Sequence, residues 1–302
     1  MTSPRVVVVV KRTPFSRYVE EENDPEVVRL IRRRDPSVAQ WVRAHREHVS
    51  TLRVVERALK KIGARAWVLH GPRVVFDAGD ASLVVTVGGD GTLLAASHNV
   101  GAAPLLGVNS SPGSSVGFFC AAVRDNVGDM LRRALDRRLP SVELTRMKVT
   151  VNGRVASRRV LNEALFCHET PAAASRYILH YGRAREEQLS SGFWVGTAAG
   201  STGVIHSAGG RLLPLSSKAL QLVVREPFAG KGAPYRMTKV VAPSGGEVVA
   251  VSKMRDACLF LDGPFLRIAV RLGDRIQFAA SEEPIRVLGI TTRRGRKPAR
   301  SR

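Results

Sequence analysis

The feature that most constrains the fold is an alternation of strand-like and helix-like segments in the first half of the chain. Residues 6–10 are a continuous run of valine, which is typical of a strand covered on both faces. Ser50 is expected to cap a helix that Gly63 ends. Further strands are predicted at 66–70, 83–87 and 104–108, with helices at 52–62, 93–99 and 127–139. This βαβ order predicts an α/β domain with a parallel sheet.

Beyond about residue 140 the pattern changes to short strands separated by turns. Residues 148–151 and 155–160 flank Asn152-Gly153, a pair that supplies the positive φ angles of a tight hairpin turn. Strands are also predicted at 176–181, 193–197, 248–252, 258–261, 266–270, 275–279 and 285–290, with one helix at 216–224. This spacing is typical of an antiparallel β-sandwich.

The predicted organisation therefore has three parts. An α/β domain covers residues 1–140, and a β-rich domain covers 141–290. The tail, 291–302, is basic and is expected to be disordered, because it has no apolar periodicity.

Composition describes a globular protein with a large positive charge. Apolar residues make up 44% of the 302 residues, and the formal net charge is +21. Six of the last twelve residues are Lys or Arg. We expect this charge to attract phosphate-bearing ligands, and the basic tail to bind nucleic acid only nonspecifically.

Cysteine use and hydropathy predict a cytoplasmic protein without a membrane partner. Cys120, Cys167 and Cys258 are widely separated and form no CxxC pair, which argues against a disulfide scaffold and a zinc site. No apolar stretch reaches the roughly 20 residues that a membrane span requires. The valine run near the start is too short for the apolar region of a signal peptide.

The sharpest functional signal is a glycine-rich loop directly after an apolar strand. Gly88, Gly89 and Gly91, followed by Thr92, allow the backbone to approach a polyphosphate at the start of a helix. Asp90 is unexpected in a loop that binds only phosphate, because its charge would repel the ligand. It suits a base that takes a proton from an attacking hydroxyl, or a ligand of Mg²⁺.

Two further motifs place polar groups at strand ends. Asn162-Glu163 offers an amide and a carboxylate that can read an adenine edge and a ribose diol. Residues 199–203, with the sequence AGSTG, offer hydroxyls that can bond to ribose or phosphate oxygens. Taken singly, each motif has a second reading, the first as an exposed polar pair and the second as a helix cap.

Together and in this order, the motifs resemble those of the NAD kinase family. The matches are GGDGT at 88–92, LNE at 161–163, a relative of TPTGSTA at 197–203, SAGG at 207–210 and DG at 262–263. Their order and spacing agree over most of the chain. Residues 6–11, 224–227 and 255–258 look closest to the mitochondrial-type branch.

The resemblance implies a two-domain enzyme whose active site lies in the cleft between an α/β domain and a β-sandwich. The implied reaction transfers the γ-phosphate of ATP to the 2′-hydroxyl of the adenosine ribose of NAD, forming NADP. Asp90 would be the general base, with Mg²⁺ or another divalent metal as cofactor. The implied NAD-binding residues are Asp90, Gly91, Asn162, Glu163, Thr197, Ser201, Thr202 and Gly203, with Asn109 and Asp262 as further candidates. A homo-oligomer, dimer or tetramer, is also implied.

The chain departs from the family pattern at three places. Val204 replaces the tyrosine that packs against the dinucleotide, and Ser190-Ser191 stand where an acid is common. The family's GxNxGxLGF stretch, at 107–118, carries three extra residues between Asn109 and Gly117. The resemblance is therefore most specific at Asp90.

Two alternatives from other classes share parts of this pattern. Lipid kinases of the diacylglycerol or sphingosine type also carry GGDGT, but Asn162-Glu163 and the SAGG segment argue against them. The departures and the arginine content are also compatible with a non-catalytic nucleotide-binding protein on the same fold. The sequence leaves open NAD against NADH as acceptor, and ATP against polyphosphate as donor.

Overall fold

The structure, a computed structural model, describes residues 3–71, 74–228 and 234–292, which divide into two units. The first unit runs to Val142 and adds Ile285–Thr291, and the second comprises Glu143–Pro284. The predicted tail lies outside the described residues from position 293 onward. No helix in the described ranges is both long and apolar enough to cross a membrane.

The first unit is built on a largely parallel sheet. Its strands are β1 (Arg5–Val10), β2 (Arg65–His70), β3 (Leu83–Gly88), β4 (Leu105–Asn109), β5 (Cys120–Val123), β6 (Ser141–Leu144) and β19 (Ile285–Leu288). The sheet order is β2-β1-β3-β4-β19-β6, with β5 beside β4. Strand β1 pairs parallel with β2 and β3, and β4 pairs parallel with β3, β5 and β19. The predicted α/β fold with a parallel sheet is confirmed.

The helices of the first unit are α1 (Pro25–Arg32), α2 (Pro36–Ile62), α3 (Asp90–Ser97) and α4 (Val127–Leu135), preceded by a π-helical turn at Ser16–Glu21. Helix α2 shows where the sequence prediction was wrong. It begins at Pro36, where the Asp35 side chain accepts the Ser37 N–H at 2.9 Å, and Ser50 lies inside it. Aspartate at the cap and proline at the first position are the stronger start signals. The predicted end is confirmed, since Gly63 has φ 77°.

The second unit consists of two antiparallel sheets. The strands are β7 (Met147–Val151), β8 (Arg154–Val160), β9 (Glu163–His168), β10 (Ser175–Tyr181), β11 (Ala184–Ser190), β12 (Phe193–Gly196), β13 (Leu220–Val224), β14 (Lys239–Ala242), β15 (Glu247–Ser252), β16 (Ala257–Leu261), β17 (Leu266–Val270) and β18 (Arg275–Ala280). One sheet has the order β11-β10-β15-β18-β7-β8, the other β14-β13-β12-β9-β16-β17. A 3-10 turn, Ala199–Thr202, and the short helix α5, Val204–Ser207, follow β12.

The two sheets of the second unit share one aromatic core. Phe193 on β12 lies 4.9 Å from Tyr177 on β10 and 6.0 Å from Phe278 on β18, measured between ring centroids. Phe166 on β9 packs edge-on against Tyr177 at 5.6 Å. All four side chains are fully buried. The predicted β-sandwich is therefore confirmed.

The hairpin prediction is also confirmed, whereas two other segments differ from expectation. Asn152 and Gly153 join β7 to β8 with φ angles of 51° and 77°. Residues 216–224, predicted as a helix, contain strand β13, which pairs with β12 and β14. Every residue of β13 is buried, so its apolar run lacks the alternation that distinguishes a strand from a buried helix. Strand β19, counted with the sandwich strands from the sequence, belongs to the first unit's sheet.

Candidate functional site

The glycine-rich motif spans the end of β3 and the start of α3. Gly89 is the N-cap residue, and its carbonyl accepts the N–H groups of Thr92 and Leu93 at 3.0 and 3.3 Å. The helix therefore begins at Asp90, inside the motif and three residues before the predicted start at 93. Backbone N–H groups at a helix start favour anionic ligands.

The glycines of the loop are required for different reasons. A Cβ added to Gly88 would lie 2.7 Å from the Cβ of Thr92, and one added to Gly89 would collide with the Ser115 side chain. These two glycines are therefore fixed by packing within the chain. A Cβ added to Gly91 would meet no described atom within 4 Å beyond its chain neighbours and the backbone of its own helix, and Gly91 is exposed. Internal packing does not explain Gly91, and the close approach of a ligand would.

Both oxygens of the Asp90 carboxylate are held by a distant loop. Oδ2 accepts the backbone N–H of Phe118 and Oδ1 accepts that of Phe119, each at 2.8 Å. A carboxylate oxygen has two acceptor positions, so each can accept a further hydrogen bond. The two backbone donors fix the orientation of the half-buried Asp90 side chain.

Asn109, at the end of β4, shapes the loop that supplies these donors. Its side-chain nitrogen donates to the Ser115 carbonyl at 3.1 Å, and its oxygen accepts the Ser111 N–H at 3.2 Å. Gly117, at φ 60°, passes so close that an added Cβ would collide with the Asn109 amide. The extra residues of this loop thus form an ordered turn around Asn109.

In the second unit, Asp262 organises the Asn162-Glu163 motif. Its carboxylate accepts the N–H groups of Leu161 and Asn162 at 2.7 Å each and that of Glu163 at 3.2 Å. Asp262 sits in the β16–β17 turn at φ 49°, followed by Gly263 at φ 107°. The later DG motif therefore fixes the backbone that presents Asn162 and Glu163.

The Asn162 and Glu163 side chains both show signs of a polar site. Burial, reinforced by the negative charge of Asp262, raises the pKa of Glu163 to about 8, so most of it is protonated at neutral pH. The side-chain oxygen of Asn162 is buried and has no hydrogen-bond partner among the described residues. Buried polar atoms are normally paired, so an unpaired one indicates a missing water or ligand.

The segment at 197–203 divides into buried and exposed halves. The Thr197 hydroxyl donates to the Leu161 carbonyl, and the Ser201 hydroxyl donates to that of Ala198 at 2.8 Å. Both side chains are fully buried. Thr202 and Gly203 are exposed. In this conformation the hydroxyls of Thr197 and Ser201 are engaged within the chain.

The close packing of Gly200 against Asn162 explains why residue 200 is a glycine. A Cβ on Gly200 would lie 2.7 Å from the Asn162 carbonyl carbon, so only glycine permits this approach. The candidates of the second unit are thus grouped around Asn162, as those of the first unit are grouped around Asp90. Val204, the replacement for the family tyrosine, is 40% exposed.

Sequence reasoning missed Lys11 and His48 in the first unit. Lys11 follows β1, and its N–H donates to the Val87 carbonyl at 2.9 Å. His48 is 4% exposed, and its Nδ1 lies 2.9 Å from the Ser110 hydroxyl. The available signal was positional, because Lys11 and Ser110 directly follow parallel strands whose carboxyl ends share one edge of the sheet.

Comparisons with known proteins identify the family. A model described as the ATP-NAD kinase N-terminal domain matches residues 37–139. A probable NADH kinase of Oryza sativa subsp. japonica is 32% identical over 231 residues, 69% of this chain and 71% of that protein. The NADH kinase of Arabidopsis thaliana is 30% identical over 298 residues, 89% of this chain and 91% of that protein.

Solved structures share the fold. An NAD kinase from Archaeoglobus fulgidus in complex with ATP aligns with a TM-score of 0.63 at 20% identity, covering 93% of this chain and 92% of that one. Yeast NADH kinase complexed with NADH aligns with a TM-score of 0.66 at 16% identity, covering 97% and 85%. The two-unit architecture is that of these enzymes. From its sequence relatives, this chain belongs to the NAD kinase family.

Proposed function

We propose that this protein transfers the γ-phosphate of ATP to the 2′-hydroxyl of the adenosine ribose of NAD, forming NADP. As a member of the NAD kinase family it is a phosphotransferase acting on NAD or NADH. The main support for this proposal is the position of Asp90. It lies at the start of α3, and the backbone N–H groups of Phe118 and Phe119 hold its carboxylate. The names of the two plant relatives favour NADH as a second acceptor.

Asp90 acts as the general base in this proposal. A ribose hydroxyl is a poor nucleophile at neutral pH, so transfer benefits from a group that takes its proton as the oxygen attacks the γ-phosphorus. The 2′-oxygen then forms the new bond to phosphorus, and ADP leaves with the electrons of the broken bond. The donors from Phe118 and Phe119 keep the carboxylate in one orientation and leave an acceptor position on each oxygen.

The glycine loop binds phosphate in the proposal. Gly88 and Gly89 set the backbone path, and Gly91 leaves room for the ligand where a side chain would intrude. Helix α3 starts inside this loop, where the first N–H groups of a helix favour an anionic ligand, and Thr92 completes the loop. The N–H groups therefore supply the positive ends of dipoles beside the transferred group.

Asn162, Glu163 and the segment at 197–203 are the proposed acceptor-binding groups. The unpaired oxygen of Asn162 can accept from an amino or hydroxyl group of the dinucleotide. Glu163, protonated at neutral pH, can donate a hydrogen bond without adding a negative charge beside a pyrophosphate. Thr202 and Gly203 bind through their exposed surface. Thr197 and Ser201 contribute by holding the segment in shape.

A divalent metal, Mg²⁺ by expectation, fits this site as a companion of the nucleotide. The described residues hold no group of three or more His, Cys, Asp or Glu side chains that could form a cage. Mg²⁺ is commonly bound by substrate phosphates with only one or two carboxylates, so it requires no such cage. When bound, the ion neutralises charge on the phosphates.

The other inferences from the sequence remain predictions or lose support. The NAD and NADH kinases reported above give no support to a lipid kinase. The cytoplasmic location and the homo-oligomer stay predictions. Nonspecific binding of nucleic acid concerns the tail, which lies outside the described residues from position 293 onward.

The decisive experiment measures NADP formation and removes the proposed base. Purified protein is incubated with Mg-ATP and NAD or NADH, and the product is scored with an NADP-specific dehydrogenase or, for NADPH, by chromatography. We expect Asp90→Asn to lower kcat by at least ~10²-fold, the low end for a general base. The matched control is Asp125→Asn, because the Asp125 side chain is 82% exposed. It should retain wild-type kcat.

The structure also determines how the Asp90 variant is interpreted. An asparagine amide would place its NH₂ group against one of the two backbone donors, at a cost of about 1–3 kcal/mol. Circular dichroism and the Tm must therefore show that the variant is folded. If the folded variant keeps more than about a tenth of wild-type kcat, Asp90 is not the base. Absence of product from wild-type protein would overturn the proposed reaction itself.

A further inference from the structure

Lys11 lies beside the phosphate-binding loop, although it is remote from the loop in sequence. Its backbone N–H continues the pairing of β1 with β3 beyond the end of β1, donating to Val87 at 2.9 Å. The Lys11 Cβ lies 3.1 Å from where a Cβ on Gly88 would stand. The stem of the lysine side chain therefore starts against the first glycine of the motif.

The Lys11 ammonium has no carboxylate partner in the part of the chain that the structure describes. The side chain is half-buried, and burial lowers its pKa. Within residues 3–71, 74–228 and 234–292, no carboxylate forms an ion pair with it. Removing a charge from water is unfavourable, so a partly buried cation gains from an anion that pairs with it. An anionic ligand at the adjacent glycine loop would supply that pairing.

The groups around Lys11 are arranged to hold it in place and do not neutralise it. His48, on α2, makes a hydrogen bond to the Lys11 backbone, and its Nδ1 lies 2.9 Å from the Ser110 hydroxyl. Burial, with the positive charge of Lys11 next, lowers the pKa of His48 to about 4, so His48 is neutral at pH 7. Glu47, the residue before His48 on α2, accepts a hydrogen bond from the Ser111 hydroxyl.

We propose that Lys11 binds the triphosphate of ATP and is the cation that stabilises the transferred γ-phosphoryl group. This inference rests on the proposed kinase reaction and adds a residue to its phosphate site. A lysine ammonium presents three donors and a full positive charge to phosphate oxygens. Beside Gly88, on the same edge of the sheet as Asp90, it complements the backbone N–H groups of the loop.

The triphosphate of ATP is preferred over the pyrophosphate of NAD for two reasons. ATP carries more negative charge, so it gains more from an unneutralised cation. The group being transferred must also reach the hydroxyl whose proton Asp90 takes, and phosphoryl transfer is catalysed mainly by positioning and charge stabilisation around that group. A cation beside the loop that carries the base meets both requirements.

The experiment compares Lys11→Met with Lys11→Arg and with the control Lys60→Met. Lys60 is an exposed lysine in the last turn of α2 and has no role in the proposed site. Calorimetry measures the binding of Mg-ATP and of NAD separately, each without the other substrate. Tripolyphosphate is used as a competitor that carries the phosphate chain without adenosine. Steady-state kinetics and the Tm are measured on the same preparations.

We expect Lys11→Met to lose affinity for Mg-ATP and to keep its affinity for NAD. Lys11→Met should bind Mg-ATP about 10- to 100-fold more weakly, the worth of one charged hydrogen bond, and should lose competition by tripolyphosphate. NAD binding should be unchanged, and Lys11→Arg should recover part of the loss. The Tm of Lys11→Met should equal or exceed that of wild type, because a half-buried unpaired charge has been removed.

Several outcomes would overturn the assignment. Unchanged Mg-ATP binding by Lys11→Met would remove Lys11 from the donor site, and a loss of NAD affinity alone would place it at the acceptor. A lower Tm with equal weakening of both ligands would make its role structural. Calorimetry measures Mg-ATP binding in the absence of NAD, so the Lys11 test does not depend on turnover. A wild-type protein that forms no NADP would refute the proposed reaction, and the effect of Lys11 on ATP binding could still be measured.

Discussion

Acid should destabilise the first unit through His48, and the size of the effect follows from its environment. The side chain is 4% exposed, and its pKa is lowered from 6.5 to about 4 by burial and by the charges of Lys11, His45 and His70. The unfolded chain takes up a proton at His48 near pH 6.5, whereas the folded protein resists until about pH 4. Stability from His48 is therefore complete above pH 6.5 and is lost as the pH falls towards 4.

The magnitude can be worked from these two values. Each unit of pKa difference corresponds to about 1.4 kcal/mol, so the full contribution is about 3 kcal/mol. At pH 4.5 most of it is already lost, about 2.5 kcal/mol relative to pH 7.5. For comparison, a typical domain has only about 5–15 kcal/mol of stability.

Urea unfolding of wild type and of His48→Gln at pH 7.5, 6.5, 5.5 and 4.5 measures this contribution. Glutamine retains hydrogen-bonding groups towards Ser110 and Lys11 but does not titrate. We expect the variant to be less stable than wild type at pH 7.5 and the difference to shrink by about 2.5 kcal/mol at pH 4.5. Other groups titrate in both proteins and cancel in the comparison. Parallel stability profiles for the two proteins would refute the argument.

Two further predictions separate packing from ligand binding and test the acceptor site. Gly88→Ala should lower the free energy of unfolding by about 1–3 kcal/mol, because the new methyl group would be overpacked against Thr92. Gly91→Ala should keep the wild-type Tm and bind substrate more weakly. Equal effects of the two substitutions on the Tm would contradict this distinction. Glu163 ionises with a pKa of about 8, so NAD binding by wild type should weaken between pH 7 and 9, whereas Glu163→Gln should bind with little pH dependence. Identical pH profiles in calorimetry would remove Glu163 from the binding step.

Much of the fold could be predicted from short sequence patterns. The valine run of β1 and the Asn152-Gly153 turn are short-range signals, so their predictions needed no knowledge of distant residues. Strand β13 was predicted as a helix because all its residues are buried, which removes the alternation that identifies a strand. The position of β19 depends on its partner β4, which lies far away in the chain, and no local pattern encodes that pairing.

In the candidate site, too, the sequence motifs could be identified locally, whereas the contacts that hold them could not. The GGDGT motif named Asp90, but its partners, the N–H groups of Phe118 and Phe119, belong to a loop 28 and 29 residues away. Asp262 lies about a hundred residues from the peptide groups that it holds, and only the pairing of β16 with β9 brings it there. Side-chain types indicated the chemistry, whereas the supporting contacts depend on chain topology.

The return of β19 to the first sheet has a consequence for how the chain folds during synthesis. Strands β6 and β19 are neighbours in that sheet, yet the whole of Glu143–Pro284 is made between them. The sheet of the first unit cannot be completed until β19, at Ile285–Leu288, has left the ribosome. The second unit is contiguous and can fold earlier, so here the N-terminal domain should finish last, the reverse of the usual order.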